Sequence, residues 1–154
     1  IPFFWRFHRV HHTERLMTGS SAFRFHFGEL LFSSFFRMIL LLLFGFSLPQ
    51  MLLYEALVLP VVMFHHSNIA IPKKIDDCIK ILIVTPRMHW VHHSQNPKQT
   101  DTNYASFLSC WDRVFGTYCV QEKAKDIQFG LKTYGLQKAL SYKFLILLPF
   151  KRKS

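Results

Sequence analysis

The stretch LLFSSFFRMILLLLFGFSLPQMLLYEALVLPVVMFHH, residues 30–66, decides the fold. From Leu30 to Ser47 it is apolar on every side, interrupted only by Ser33, Ser34 and Arg37. As a helix this segment reaches about 27 Å, close to the thickness of a bilayer core. Leu48-Pro49-Gln50 reads as a turn, because proline disfavours helix at the residue before it. Met51 to Phe64 is a second apolar arm carrying Glu55 and Pro60. It is short for a full span and predicts a kinked or partly interfacial helix. A buried helical hairpin of a soluble protein is the competing reading, and all-round apolarity counts against it. Arg37 is placed to snorkel toward headgroups, and Glu55 is expected to face protein or a polar cavity.

Charge follows the same division. Arg6, Arg9, Arg15 and Arg24 precede the hairpin, Lys73, Lys74, Lys80 and Arg87 follow it, and its tip has neither Lys nor Arg. The positive-inside rule then puts both flanks in the cytoplasm. Two crossings return the chain to its starting side, so groups before residue 30 and after residue 64 can meet at one site. The net charge of +10 over 154 residues suits an anionic membrane face. No helix-turn-helix, zinc-finger or RNP-like pattern points to nucleic acid. The length suits one domain. Cys78, Cys110 and Cys119 form no C-x-x-C pair, which implies reduced thiols and a cytosol-facing location. The sequence opens at Ile1 with no signal-like leader and reads as a cut start.

The flanks hold three histidine clusters: His8, His11 and His12; His65 and His66; His89, His92 and His93. The first and last share the spacing H-x-x-H-H, which puts three imidazoles on one side of a helix, one turn apart. A single histidine in an apolar chain is ordinarily a hydrogen-bonded core residue, and the nearby Arg9 and Arg87 would also suit a polybasic patch. Neither explains the repeated spacing, which points to metal ligation. Pro86 suits the first turn of a helix presenting the last cluster, and Asn96-Pro97 ends it. Thr18 to Ser21 is turn-like, Asp76 to Val84 is amphipathic, and Ala105 to Tyr118 is expected to hold a short helix ending at Gly116. The apolar run Phe144 to Phe150, closed by Lys151-Arg152-Lys153, is expected to lie in the membrane interface. Asp101, Asn103, Asp112 and Arg113 are candidates to support the ligands, with Asp101 and Asp112 accepting imidazole N–H groups. Trp90, Tyr104 and Trp111 are candidate walls of a substrate channel.

The strings PFFWRFHRVHH, AFRFHFGE, FHHSNIAIP, TPRMHWVHHS and DTNYASFLSCWDRVFGTY, in that order, resemble the fatty acid hydroxylase/sterol desaturase superfamily of membrane di-iron oxygenases. The resemblance covers essentially the whole chain, residues 1–154, as a partial domain with the 30–64 hairpin inside it. It implies an all-α membrane domain with a cytosolic, histidine-rich helical cap holding two irons, zinc being an accepted substitute. His8, His11 and His12 resemble one ligand box, His89, His92 and His93 the last box, and His66 an intervening single ligand. His65 stands where the family often has another residue, and is a secondary candidate. His26 resembles a recurrent family histidine, as ligand or as donor to one. An earlier H-R-x-x-H box that the family carries is not in this sequence, which predicts a fragment of a longer product or a truncated remnant. Ala105 replaces a more usual Gly.

The activity implied is O2-dependent hydroxylation, or desaturation, of a C–H bond in a lipid or sterol-like substrate. A non-redox metal- and lipid-binding protein and an inactive remnant are the alternatives. No P-loop or dinucleotide fingerprint is visible, so electrons are expected from a cytochrome b5-like, ferredoxin or flavin reductase partner. Lys73, Lys74, Lys123 and Lys125 are its candidate dock. A bacterial inner membrane is favoured over the endoplasmic reticulum.

Overall fold

A computed structural model describes residues 1–120, 126–135 and 141–151. Among them the regular structure is helical, apart from isolated bridges at Ile83–Leu108 and Ser94–Phe129. The helices are α1 (Pro2–His8), α2 (Phe27–Phe44), α3 (Leu48–His65), α4 (Lys73–Ile79), α5 (Pro86–His92), α6 (Pro97–Thr100) and α7 (Cys110–Val114), followed by a C-terminal helix Tyr142–Leu147. The all-α expectation holds.

Helices α2 and α3 form the hairpin, and its turn is tighter than the sequence suggested. Gly45 takes φ 67, and its N–H returns to the Leu41 carbonyl. This is the left-handed stop that favours glycine. Leu48-Pro49-Gln50 is not a turn but the first turn of α3, closed by a box in which the Ser47 N–H donates to Gln50 Oε1 at 2.7 Å. Proline is tolerated there because the N–H it lacks has no intrahelical partner at that position. The second arm is therefore 18 residues long, enough to cross a bilayer by length and composition. No residue of α2 is buried, and Leu42 is 77% exposed. A core hairpin of a soluble protein would bury such residues; helices apolar all round and open on all sides fit lipid. Arg37 and Glu55 do not act separately. They form an ion pair between the two arms, so each supplies the other's countercharge within the apolar layer.

The remaining helices cap one end of the hairpin. Phe3, Phe4 and Phe7 of α1 meet Phe32 edge to face, with centroids at 5.4, 6.0 and 5.3 Å. A Cβ on Gly28 would stand 2.6 Å from the Phe7 ring, so glycine permits this close packing. On the other side, α3 packs against α5 and the 3-10 segment Gly19–Phe23.

The apolar tail is not wholly interfacial. Phe144 and Leu148 bury against Val10, and the Arg9 guanidinium donates to the carbonyls of Leu148 and Lys151. Tyr142, Ile146 and Phe150 keep the exposed face that the interfacial reading requires.

Candidate metal centre

Histidines fill much of the centre of the cap. His11, His12, His65 and His93 are among its largest fully buried side chains. The first H-x-x-H-H does not lie on one α-helix. His8 ends α1, and His11 and His12 belong to a 3-10 turn, His11–Thr13, yet the tightened backbone still turns all three rings one way. His66 caps the C-terminus of α3. The last box lies as the sequence suggested, with His89 and His92 on α5 and His93 as its C-cap. Thr85 accepts the Met88 N–H, and Pro86 opens the helix.

Seven rings converge as two sets. His11, His66, His89 and His93 form one; His8, His12 and His92 form the other; within each set the ligand atoms lie within 4.8 Å of one another. In the first, Nε2 atoms follow one another at 2.9 Å (His11–His66), 3.0 Å (His66–His89) and 3.0 Å (His89–His93). In the second, His92 Nε2 stands 3.3 Å from His8 Nε2 and 3.2 Å from His12 Nε2. The sets adjoin, with the His12 and His93 rings stacked at 4.5 Å.

The outer ring nitrogens decide what these approaches mean. Nδ1 faces a carbonyl in His66 (Val62, 2.7 Å), His92 (Thr102, 2.9 Å) and His11 (Arg24, 3.2 Å). A carbonyl only accepts, so Nδ1 carries the proton and Nε2 presents a lone pair inward. His8 Nδ1 is fixed likewise by Glu29 Oε1 at 2.7 Å. Lone pairs then oppose one another at His11–His66 and His8–His92, an arrangement that is repulsive by itself and attractive around a cation. Nitrogens sharing one first-row ion at about 2.0–2.1 Å stand about 3–4 Å apart, as these do. The donor set fits the metal centre that the resemblance implies.

Protonation agrees. Burial, reinforced by the neighbouring imidazoles, holds His11, His12, His89 and His93 well below the usual histidine range. Burial lowers His92 to about 3 and His66 to about 4, each partly offset by its carbonyl bond. All six are neutral at pH 7 and ready to ligate.

The other candidates fall outside the two sets. His65 is buried with its ring 4.1 Å from His89, and its Nδ1 has no partner. His26 caps α2 instead: Nδ1 accepts the Gly28 N–H at 2.9 Å, and Nε2 donates to the Ile146 carbonyl at 3.2 Å. Asp101, Asn103 and Asp112 build the loop beside His92 rather than gripping an imidazole. Asn103, at φ 50, ties Met88 to Cys119; Asp112 receives the N–H groups of Tyr104 and Ala105; Asp101 accepts from the Tyr104 hydroxyl. Their product is the Thr102 carbonyl that holds His92. Those Asp112 bonds also keep residues 105–109 out of the longer helix expected there. Arg113 donates to Ser109 and to the Lys80 carbonyl. Glu29 escaped the sequence reading, since an acidic residue in the first turn of an apolar helix ordinarily serves the helix dipole.

Two hollows reach the second set. A cavity of about 750 Å³ touches His12, Trp5, Tyr104 and Lys132. A groove of about 360 Å³ runs by His8 and Glu29 along Phe4, Phe32 and Phe36. Of the proposed channel aromatics only Tyr104 lines them, 5.5 Å from the His92 ring; Trp111 stacks on Phe115, and Trp90 donates to the Ser67 carbonyl.

Residues 1–117 match the fatty acid hydroxylase family. The chain is 30% identical over 149 residues to the ornithine lipid hydroxylase OlsE of Rhizobium tropici, covering 97% of this chain and 43% of that protein. It is 32% identical over 119 residues to the alkylglycerol monooxygenase of Danio rerio, covering 74% of this chain and 24% of that one. It thus spans less than half the length of either relative. No solved structure gives a significant match.

Proposed function

The chain belongs to the fatty acid hydroxylase family, and from that premise we propose that it is the metal-holding part of a membrane lipid hydroxylase with a di-iron centre. The observation that carries this reading is the convergence of seven buried or partly buried imidazoles as two sets at the end of a lipid-facing hairpin. His11, His66, His89 and His93 would hold one iron, and His8, His12 and His92 the other. When bound, the irons supply the activation of O2 and the oxidation of an unactivated C–H bond.

This chain's own residues do the rest. The carbonyls of Arg24, Val62 and Thr102 and the Glu29 carboxylate hold four of the seven imidazoles, His11, His66, His92 and His8, in one tautomer and so aim their lone pairs. Phe4, Phe32 and Phe36 offer an aliphatic chain an apolar path from the face of α2 to His8. The more polar cavity beside His12 would take the substrate's polar end. Hydroxylation of a lipid is favoured by the names of both relatives.

Electrons would arrive from a cytochrome b5-like protein, a ferredoxin or a flavin reductase on the cytoplasmic, basic face. Of its candidate dock, Lys73 and Lys74 are exposed, Lys73 bonded to Asp77; Lys123 and Lys125 lie outside the described residues. The charge asymmetry supports a cytoplasmic centre and suits either membrane; the compact loops favour a bacterial inner membrane over the endoplasmic reticulum.

Metal analysis of detergent-purified protein tests the centre, and lipid mass spectrometry with a reductant tests the activity. Bound iron, together with substrate gaining one oxygen, is expected. Zinc alone with no oxygenated product would transfer the reading to a non-redox metal- and lipid-binding protein.

A further inference from the structure

The two hollows beside the smaller histidine set abut. Ile1, Trp5, Asp101 and Tyr104 line both of them, so these side chains form the partition between the polar cavity and the apolar groove. Two of the four are aromatic, and both border the ligands. The Trp5 ring lies 4.9 Å from that of His12 and 6.1 Å from that of His8, and the Tyr104 ring lies 5.5 Å from that of His92. Every imidazole of the set therefore has one of these two aromatics beside it. Each aromatic is held in place. Trp5 belongs to α1, whose Phe4 and Phe7 pack on Phe32. The Tyr104 N–H donates to Asp112 at 2.7 Å, and its hydroxyl reaches Asp101 at 3.4 Å.

The walls on the two sides differ in chemistry. Arg9, Ser94, Gln95, Thr100 and Lys132 give the cavity its polar lining. The groove runs the other way into a third hollow of about 470 Å³, walled by Phe3, Phe4, Leu31, Phe32, Phe35 and Phe36. No histidine lines that third hollow. An amphiphile keeps its polar end on polar walls and its chain on apolar ones, so it can span these spaces in one direction only. Its change of polarity then falls at the partition, and its distal chain leads away from the histidines. We infer that Trp5 and Tyr104 form a throat that sets which part of a bound lipid lies against His8, His12 and His92: the first few carbons beside its polar group, not the middle or end of the chain. On the lipid hydroxylase reading, on which this assignment rests, those carbons are the ones oxidised, and the pair determines the position of the hydroxyl.

Photolabelling tests the orientation without any turnover. Two 1-acylglycerols, one with a diazirine beside the ester and one with it at the chain terminus, are bound to the detergent-purified chain and the labelled peptides are mapped by mass spectrometry. Saturable labelling near Trp5 and Tyr104 by the ester-side probe, and near Leu31 to Phe36 by the terminal probe, is expected. Equal labelling of the Trp5 and Tyr104 segments by both probes would overturn the proposal, without need of any variant. Product analysis in the iron-loaded protein with a reductant tests the throat itself. Tyr104→Phe keeps its width and should keep the parent's hydroxyl position. Tyr104→Ala widens it and should spread the hydroxyl to carbons farther from the polar group, selectivity between neighbouring carbons falling about tenfold or more at unchanged metal content. A slower Tyr104→Ala that still marks the parent's carbon alone would make Tyr104 a prop of its loop and defeat the proposal. Probes oriented as expected in a protein that oxygenates no lipid would refute the hydroxylase reading and leave the throat standing.

Discussion

The two histidine sets differ in more than their number of rings. His11, His66, His89 and His93 are all buried, and none lines the hollows described above. In the other set His8 is partly exposed, His8 and His12 line those hollows, and a carboxylate from the membrane helix holds His8. A closed ligand sphere suits retention of a metal, and an open one suits reaction at it. On the proposed reading, the larger set would retain its metal and the smaller set would be the reactive half of the centre.

The widest separation should come from paired deletions. His89→Ala removes a ligand from the closed set and leaves a hollow among buried imidazoles, so metal content should fall by about one ion per chain or more, with several kcal/mol of stability lost. His8→Ala should cost one ion and little stability. Metal analysis with thermal unfolding reads both, and equal destabilisation by the two would abolish the distinction. Acid should act next. His66 and His92 fall from an ordinary 6.5 to about 4 and about 3 on folding, so between those values the unfolded chain binds more protons. Stability of the metal-free protein should be full above about pH 6.5 and decline below it, by up to about 1.4 kcal/mol per pH unit for each such histidine, until pH passes the folded values. Unfolding midpoints across pH 3 to 7 check the slope; a flat profile would mean that these rings are not buried together. Smaller again is Glu29→Gln. It keeps the shape and removes the charge behind His8, and should weaken one metal site about 10–100-fold while sparing the other. Competition with a chelator resolves the two affinities.

What could be read in the sequence divides along the same line. The last box was legible because a single helix carries it, with Thr85 and Pro86 marking its start. The first box was legible in composition but not in backbone, since an α-helix that tightens into a 3-10 turn keeps the spacing of its histidines. The hairpin was visible and its second arm misjudged, because Pro49 means a break inside a helix and a beginning at its first turn. Glu29 and the carbonyl of Thr102 were invisible for a different reason. They touch residues 21 and 10 positions away, and backbone oxygens leave no mark in a sequence. Asp112 drew notice as a ligand support and proved to organise the loop that supplies one.

The last contrast is between the centre and the membrane pair beneath it. Glu55 lies ten residues before His65 on α3, about 15 Å along the helix, and Arg37 lies eight residues beyond Glu29 on α2, about 12 Å. Neither shares a partner with a histidine of either set, so coupling should be weak. Replacing both, Arg37→Leu with Glu55→Leu, exchanges an ion pair for apolar surface in an apolar layer and should alter metal affinity by less than about twofold. Glu55→Leu alone leaves Arg37 uncompensated among lipid-facing side chains and should lower the yield of inserted protein. Comparing the single and double variants for insertion and for metal separates the two functions of the hairpin. If the double variant empties the smaller set as well, α2 must transmit strain from Arg37 to Glu29, and the reactive half of the centre would extend into the membrane.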